Sequence, residues 1–378
     1  MSNFIVSARK YRPTKFDDVV GQSAITNTLL KSIKDNHLAQ SFLFCGPRGV
    51  GKTTCARILA KTINCEDISD DIKACNDCES CKSFNESHSF NIHELDAASN
   101  NSVDDIRSLV EQIRFAPQVG EFSIYIIDEV HMLSTSAFNA FLKTLEEPPK
   151  HAIFILATTE KHKIIPTILS RCQIFDFKNI SINDIISHLE YVAKSENIAA
   201  EKDALHIIAQ KSLGSLRDSL SMFDRLVDPS DLTLTYKSVI DNLNILDHDY
   251  YLNITDQILE KDISSVMLTI DEILSNGFDG HQFIMGLASH FRDLLVCKDS
   301  STIILLEKGK DIQNKYLTQS EECDINFLIK WLQICNKCDI EYKSSKNQRL
   351  LVELSLLKII TIDNYVLEKK NNNTKVNK

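Results

Sequence analysis

No proline follows Pro229, although the chain runs on to Lys378, and only four glycines lie beyond it. A stretch that long without helix-breaking residues is expected to be mostly helical. Also missing is any apolar run near the ~18 residues that a membrane-crossing helix needs. The opening Met1-Ser2-Asn3-Phe4-Ile5-Val6 has no basic segment leading into a long apolar one. No export signal is therefore expected, and a cytoplasmic location is. Eleven cysteines, an odd number, argue without such a signal against a secreted disulfide framework and for reduced thiols or a metal site. Positive charge is not in excess either, since the net charge is −10 at pH 7. That excludes a generally basic nucleic-acid coat, although a local cationic channel can sit inside an acidic protein. What is there is ordinary for a folded chain: 43% hydrophobic and 25% charged residues, which rules out wholesale disorder. A length of 378 residues suggests two or three domains.

The first part of the chain alternates short apolar runs, Ser41–Cys45, Ile124–Ile127 and Ala152–Ala157, with helical patterns. Near-continuous apolar strands between helices imply a parallel sheet covered on both faces. One helix is plain in the pattern. Ser134 or Ser136 can cap it, Phe138, Phe141, Leu142 and Leu145 recur at i, i+3, i+4 and i+7, and Pro148-Pro149 end it. The middle, about 180–243, reads as a small helical unit joining two larger parts. The Lys/Asn-rich end, Asn371–Lys378, reads as disordered.

Gly46, Pro47, Arg48, Gly49, Val50, Gly51, Lys52 and Thr53 fit the phosphate-loop pattern G-x-x-x-x-G-K-[ST]. Its glycines let backbone N–H groups turn inward around phosphates. Lys52 neutralises the β and γ phosphates, and the Thr53 hydroxyl suits Mg²⁺. An apolar strand precedes the loop, and Thr54–Lys61 continues as a helix whose N-terminus attracts anions. Downstream, Ile124–Ile127 runs into Asp128 and Glu129, a buried strand ending in two carboxylates. Asp128 suits Mg²⁺, directly or through water, and Glu129 the polarisation of an attacking water. Thr158 and Thr159 end the next strand, where either hydroxyl can sense a γ-phosphate or merely cap a turn. Arg171, in Ser170-Arg171-Cys172, suits either a finger that stabilises transition-state charge or a surface ion pair. Arg217, at the start of a helix opened by Gly214-Ser215-Leu216, can reach back to the γ-phosphate or stay solvated.

Cys75, Cys78 and Cys81 at x₂ spacing, with Cys65 upstream, offer four thiols that can close a tetrahedral structural zinc site. His88 and His93 compete with Cys65 for the fourth position, and Cys65 is preferred. Cys335 and Cys338 lie in a helical stretch near Trp331 with no matching pair close by, so they read as buried helix cysteines.

These motifs, together with Ala8-Arg9-Lys10-Tyr11-Arg12-Pro13, Phe16–Gln22, Ile127–Leu133, Lys143–Pro149 and Ala157-Thr158-Thr159, carry a resemblance. The chain resembles the bacterial DNA polymerase III gamma/tau family, the AAA+ ATPases of the sliding-clamp loader. The matching motifs are dense from residue 1 to about 225. The resemblance implies an α/β AAA+ core over 1–179 with a zinc-binding insertion at 65–81. A helical lid over 180–243, an all-α collar over 244–368 that joins subunits into a pentamer, and a polar tail over 369–378 follow. It implies ATP, Mg²⁺ and Zn²⁺. Partners would be loader subunits of the delta and delta-prime type, the sliding clamp and primed DNA, with no membrane. Tyr11, Arg12, Pro13 and Val20 would lie near the adenine, Thr54 would belong to the nucleotide site, and Thr159 would be the core sensor ahead of Thr158. Arg217 would be the lid sensor, and Arg171 would act on ATP held by a neighbouring subunit. Longer family members continue into regions that bind helicase and polymerase. This chain ends about where the collar should end, so a loader-only form is expected. Asn100–Arg107 is a candidate DNA-contacting segment. No polymerase active site is evident. A branch-migration type of AAA+ motor and a nucleotide-binding scaffold without catalysis are the rival readings.

Overall fold

The computed structural model describes residues 5–362, apart from 70, 87–88, 118–119, 229, 244–245 and 307–309. The expected polar tail, 369–378, lies outside the described residues. Contacts divide the chain into two compact units, one ending at Thr235 and the other beginning at Tyr236.

The first unit is built on five parallel strands: β1 (Ser41–Cys45), β2 (Ile92–Asp96), β3 (Ser123–Asp128), β4 (Ala152–Thr158) and β5 (Gln173–Asp176). Their order across the sheet is β2-β3-β4-β1-β5. Alternation explains why the central strands are apolar throughout. Phe42, Phe44, Ile124, Ile126, Ile153 and Ile155 point to one face, into a core shared with Leu29, Ile58 and Leu59. Leu43, Tyr125, Ile127, Phe154 and Leu156 point to the other, against Ile106, Phe141 and Leu145. A strand buried on both faces has no polar side to show. The helices that cover the sheet begin where the sequence offers caps. Ser134 Oγ accepts from the Ala137 N–H at 3.2 Å and opens Thr135–Glu146. Ser102 and Asp105 form a reciprocal capping box at the head of Val103–Ile113.

The segment expected to be a small helical unit contributes Ile182–Ser195, Lys202–Lys211 and Leu216–Leu226 to the first unit, whereas Tyr236–Asn242 groups with the second.

The second unit is helical, with main helices His248–Leu259, Ile263–Ser275, Gly280–Val296, Lys310–Glu322, Ile325–Tyr342 and Gln348–Ile360. With no proline to set boundaries, acidic and amide caps do so. Asp262, Asp279, Asp324 and Asn347 each accept a backbone N–H at a helix start. Phe283, Leu287, Phe291, Leu294, Leu328 and Leu356 are fully buried in its core. Cys335 and Cys338 are buried there within the helix Ile325–Tyr342. Among the described residues, no helix is long and apolar enough to cross a membrane.

One helix in this unit needs a glycine for space. A Cβ on Gly286 would stand 1.9 Å from the Tyr251 hydroxyl and 2.5 Å from its Cζ. That ring is stacked near Phe283 and His290 and has little room to retreat. Gly→Ala in a helix interior ordinarily stabilises by up to ~1 kcal/mol. Here Gly286→Ala is expected to destabilise instead, by about 1–3 kcal/mol from overpacking. Thermal unfolding followed by circular dichroism checks the sign; a raised midpoint would contradict the clash.

Candidate nucleotide site and metal centre

The parallel sheet brings the candidate nucleotide residues to one edge. β1 ends at Cys45 and β3 at Asp128, so Gly46 and Glu129 follow directly, while β4 ends at Thr158 just before Thr159. Cys45 pairs with Thr158 on one side and with Asp176 on the other. The loop after Cys45 is tight at two glycines. Gly46 has φ +148°, and a Cβ there would lie 2.5 Å from the Phe177 carbonyl oxygen. Gly49 has φ +77°, and its Cβ would overlap the Ser215 hydroxyl at 2.0 Å. Pro47 and Arg48 are exposed, and Val50 is buried beneath the loop.

The loop then opens the helix Lys52–Ile63. Lys52 is only 6% exposed, and its ammonium donates to the carbonyls of Gly46 at 2.8 Å and Pro47 at 2.7 Å. Burial pulls its pKa below the ordinary lysine value, against the opposing pull of Glu129 and Asp128. Thr53 Oγ1 donates to Asp128 Oδ2 at 2.6 Å. That pair sets one hydroxyl and one carboxylate side by side, the oxygen donors that Mg²⁺ prefers. Asp128 Oδ1 also accepts the Glu129 N–H at 2.9 Å. Glu129 has φ +47°, and its Oε2 accepts from the Thr159 hydroxyl at 2.9 Å and the Thr159 N–H at 3.3 Å. Of the two threonines, Thr159 touches Glu129, whereas Thr158 is fully buried and accepts the Glu160 N–H at 3.0 Å.

Basic groups flank this edge. Arg12 Nε donates to Thr54 Oγ1 at 3.2 Å. Desolvation first, then the charges of Arg57 and Arg217, draw its pKa below the ordinary arginine value. Arg217 stands at the start of Leu216–Leu226, and its N–H lies 3.4 Å from the Gly49 carbonyl. Arg57 pairs with Glu94 of β2 and lies over the Phe84 ring. Tyr11 sits against the helix Ile182–Ser195, with its hydroxyl on Glu196 and its ring edge-on to Tyr191 at 6.0 Å. Pro13 and Val20 are half-buried, but it is Val19 that faces the loop, 3.9 Å from a Cβ built on Gly51. Arg171 is not gathered here. It precedes β5, and its guanidinium donates to Glu146 Oε1 at 2.9 Å and to the Thr167 carbonyl at 2.7 Å. The four-residue strand β5, roughly 13 Å long at ~3.3 Å per residue, lies between it and the edge at Asp176.

The four cysteines do converge. The sulfurs of Cys65, Cys75, Cys78 and Cys81 all lie within 4.8 Å of one another. Around zinc at a Zn–S distance of ~2.3 Å, tetrahedral sulfurs stand about 3.8 Å apart, so the donor set fits the ion. Backbone N–H groups already point at the sulfurs: Cys75 to Cys65, Cys78 and Asp77 to Cys75, and Cys81 to Cys78, at 3.2–3.4 Å. Those from Cys78 and Asp77 draw the Cys75 thiol down to about 7, whereas burial raises Cys81. His93 stacks on Tyr125 at 4.9 Å, away from any ligand role, and His88 lies outside the described residues. The insertion is bound to the phosphate-loop helix by Lys61, 5% exposed, which donates to Asn76 and, at 2.7 Å, to Asn85.

Comparison with known proteins then decides the family. Three family models tile the chain. Residues 21–181 match one described as DNA polymerase III, delta subunit. Residues 184–227 match the ATPase lid domain of the DNA polymerase III clamp loader subunit, and 234–372 match domain III of DNA polymerase III subunits gamma and tau. DNA polymerase III subunit gamma of Buchnera aphidicola (subsp. Baizongia pistaciae) is 34% identical over 363 residues, covering 96% of this chain and 98% of that one. The chain belongs to the gamma/tau family of DNA polymerase III clamp-loader subunits. The Bacillus subtilis tau subunit is 40% identical over 352 residues, and this gamma/tau chain spans 62% of its length. The Mycoplasma genitalium gamma/tau subunit is 42% identical over 280 residues, which are 74% of this chain and 47% of that one. The fold is accordingly the parallel α/β AAA+ core with a four-cysteine cluster, then a lid domain and a helical domain III.

Several contacts at the site carry no local sequence signal. Ser215 against Gly49, Val19 beside Gly51 and Lys61 between two asparagines are all tertiary. His131, part of the Ile127–Leu133 motif but given no role of its own by the sequence pattern, has a side chain 6% exposed beside Glu129. For the metal centre, protein prepared without chelator is expected to carry close to one zinc per chain, and Cys78→Ser to lose most of it. Metal analysis by mass spectrometry checks this, and zinc-free wild-type protein would count against the site.

Proposed function

We propose that the chain is the ATP-hydrolysing subunit of a clamp loader that places a sliding clamp on primed DNA. The observation that carries this is the meeting of Lys52, Thr53, Asp128 and Glu129 at one edge of the sheet, with Thr53 bonded to Asp128 at 2.6 Å. Thr53 and Asp128 would hold Mg²⁺, which supplies charge neutralisation at the phosphates when bound with ATP. Lys52, now resting on loop carbonyls, exchanges them for phosphate oxygens. The N–H groups of the Gly46–Gly51 loop and the start of the helix Lys52–Ile63 complete the anion cradle. Glu129 polarises a water in line with the γ-phosphate, and Thr159, bonded to Glu129 Oε2, reports the state of that phosphate.

Because Ser215 rests on Gly49, the position of the lid follows the phosphate loop, and Arg217 is placed to feel the γ-phosphate. Tyr11, Arg12, Pro13 and Val20 form the side on which the nucleoside rests. Arg171 stands too far from its own nucleotide edge to serve it, so its use is in trans, on ATP held by the next subunit. That requires an oligomer. A hetero-pentamer with subunits of the delta and delta-prime type fits the family, with the helical region from about 244 as its collar. ATP binding arranges the subunits around primed DNA with the clamp held open. Alignment of Arg171 on a neighbour's γ-phosphate then triggers hydrolysis and release of the closed clamp.

The test is steady-state ATP hydrolysis by the chain reconstituted with its partner loader subunits. Stimulation is expected to need both clamp and a primer–template junction. Stimulation by any duplex without clamp would indicate a DNA motor, and no hydrolysis at all a scaffold. Arg171→Ala is expected to keep ATP binding and to lose at least tenfold of the stimulated rate, whereas Lys52→Ala weakens binding itself. Unchanged stimulated turnover in Arg171→Ala would end the in-trans role.

A further inference from the structure

One nearly buried side chain at the nucleotide edge has no part in that mechanism. His131 lies in the short turn Val130–Met132, directly after the two acids. Its Nδ1 stands 3.0 Å from Thr158 Oγ1 and 3.4 Å from Glu129 Oε2, and its Nε2 stands 3.6 Å from Glu160 Oε1. The ring is therefore wedged between the carboxylate of Glu129 and the turn that leaves β4. That turn is itself braced, because Thr158 accepts the Glu160 N–H and Lys163 pairs with Glu160 at 2.8 Å. His162 approaches the same carboxylate at 3.5 Å.

The consequence is orientation. A glutamate that polarises water must present one oxygen in a fixed direction, yet its last torsion is broad and exchanges the two oxygens easily. Among the described residues, the hydrogen bonds to the Glu129 carboxylate all end on Oε2, from the hydroxyl and N–H of Thr159. His131 Nδ1, bonded to Thr158 Oγ1, stands 3.4 Å from that same oxygen. The backbone adds a second reason for a wedge. Glu129 is left-handed at φ +47°, a conformation that an ordinary L-residue keeps only where its surroundings hold it. Val130, fully buried, and His131 anchor the turn that follows.

We propose that His131 is a positioning residue for hydrolysis, which pins Glu129 Oε2 against Thr159 and so leaves the second carboxylate oxygen aimed at the attacking water. The inference rests on Glu129 being the residue that polarises this water. It also joins the catalytic glutamate to the Glu160–Lys163 segment, which leads through Pro166–Leu169 to Arg171.

The experiment compares His131→Leu, which fills the space without a donor, with His131→Asn, whose amide places an N–H near the Nδ1 position. Both are measured in the reconstituted loader with clamp and primed DNA. His131→Leu is expected to lose at least tenfold in kcat, with KM and the binding of a fluorescent ATP analogue unchanged, and His131→Asn to recover most of the rate. Wild-type turnover in His131→Leu overturns the proposal. So does an equal loss in both variants, or a loss that comes with weaker analogue binding, since either marks a packing role. Should His131→Leu fail to fold, His131→Gln replaces it; its donor reaches the Nε2 position instead, so it must lose rate where Asn keeps it. Glu129→Gln, run alongside, separates the two ideas. If it hydrolyses ATP normally, the glutamate reading has failed; if it is inactive while His131→Leu is normal, only the present inference has.

Discussion

Parallel register is the constraint on which the first unit depends. All five strands run the same way, so the residues that follow them emerge at the same edge. Asp128 lies at the end of β3, Gly46 just beyond β1 and Thr159 just beyond β4, and no further device is needed to gather them. The same rule sends whatever precedes a strand to the opposite edge, which is where Arg171 stands before β5. Hydrophobic burial enforces the register. With both faces of β1, β3 and β4 packed, a slip by one residue would exchange the side chains of the two cores and strand each set on the wrong helices.

A second dependence runs along a single helix. Lys52–Ile63 starts at the phosphate loop and ends two residues before Cys65, so the candidate nucleotide cradle and the cysteine cluster are the two ends of one rod about 18 Å long. Lys61 fastens the insertion to that rod through Asn76 and Asn85. These contacts give the cysteine cluster a part in holding the helix that presents Lys52 and Thr53.

Much of this was legible in the sequence, and the exceptions have physical causes. The central strands announced themselves because burial on both faces leaves an unbroken apolar run. β2, Ile-His-Glu-Leu-Asp, and β5, Gln-Ile-Phe-Asp, did not, because edge strands are half solvated and too short for an alternation to stand out. The phosphate loop, the paired acids and the cysteines were readable since their members are near neighbours in the chain. Ser215 on Gly49 and Val19 by Gly51 depend on segments that meet only after folding, and so do the contacts of His131 with Thr158 and Glu160. The choice between Thr158 and Thr159 was open in the sequence for the same reason. One strand position inverts the direction of a side chain, and only the packed sheet shows Thr159 on Glu129 and Thr158 turned inward.

The ion pair between Arg171 and Glu146 has a meaning beyond its own small strength. It is half exposed, and such pairs contribute only about 0–1 kcal/mol. A guanidinium tethered that lightly is neither buried nor left to wander. Part of the rotamer entropy that docking in the proposed in-trans role would remove is already gone, up to ~2 kcal/mol for a free arginine. Letting go of Glu146 costs little in return. In the proposed in-trans role the arginine would change this one carboxylate for a more highly charged anion, and ionic strength would act on both holds at once.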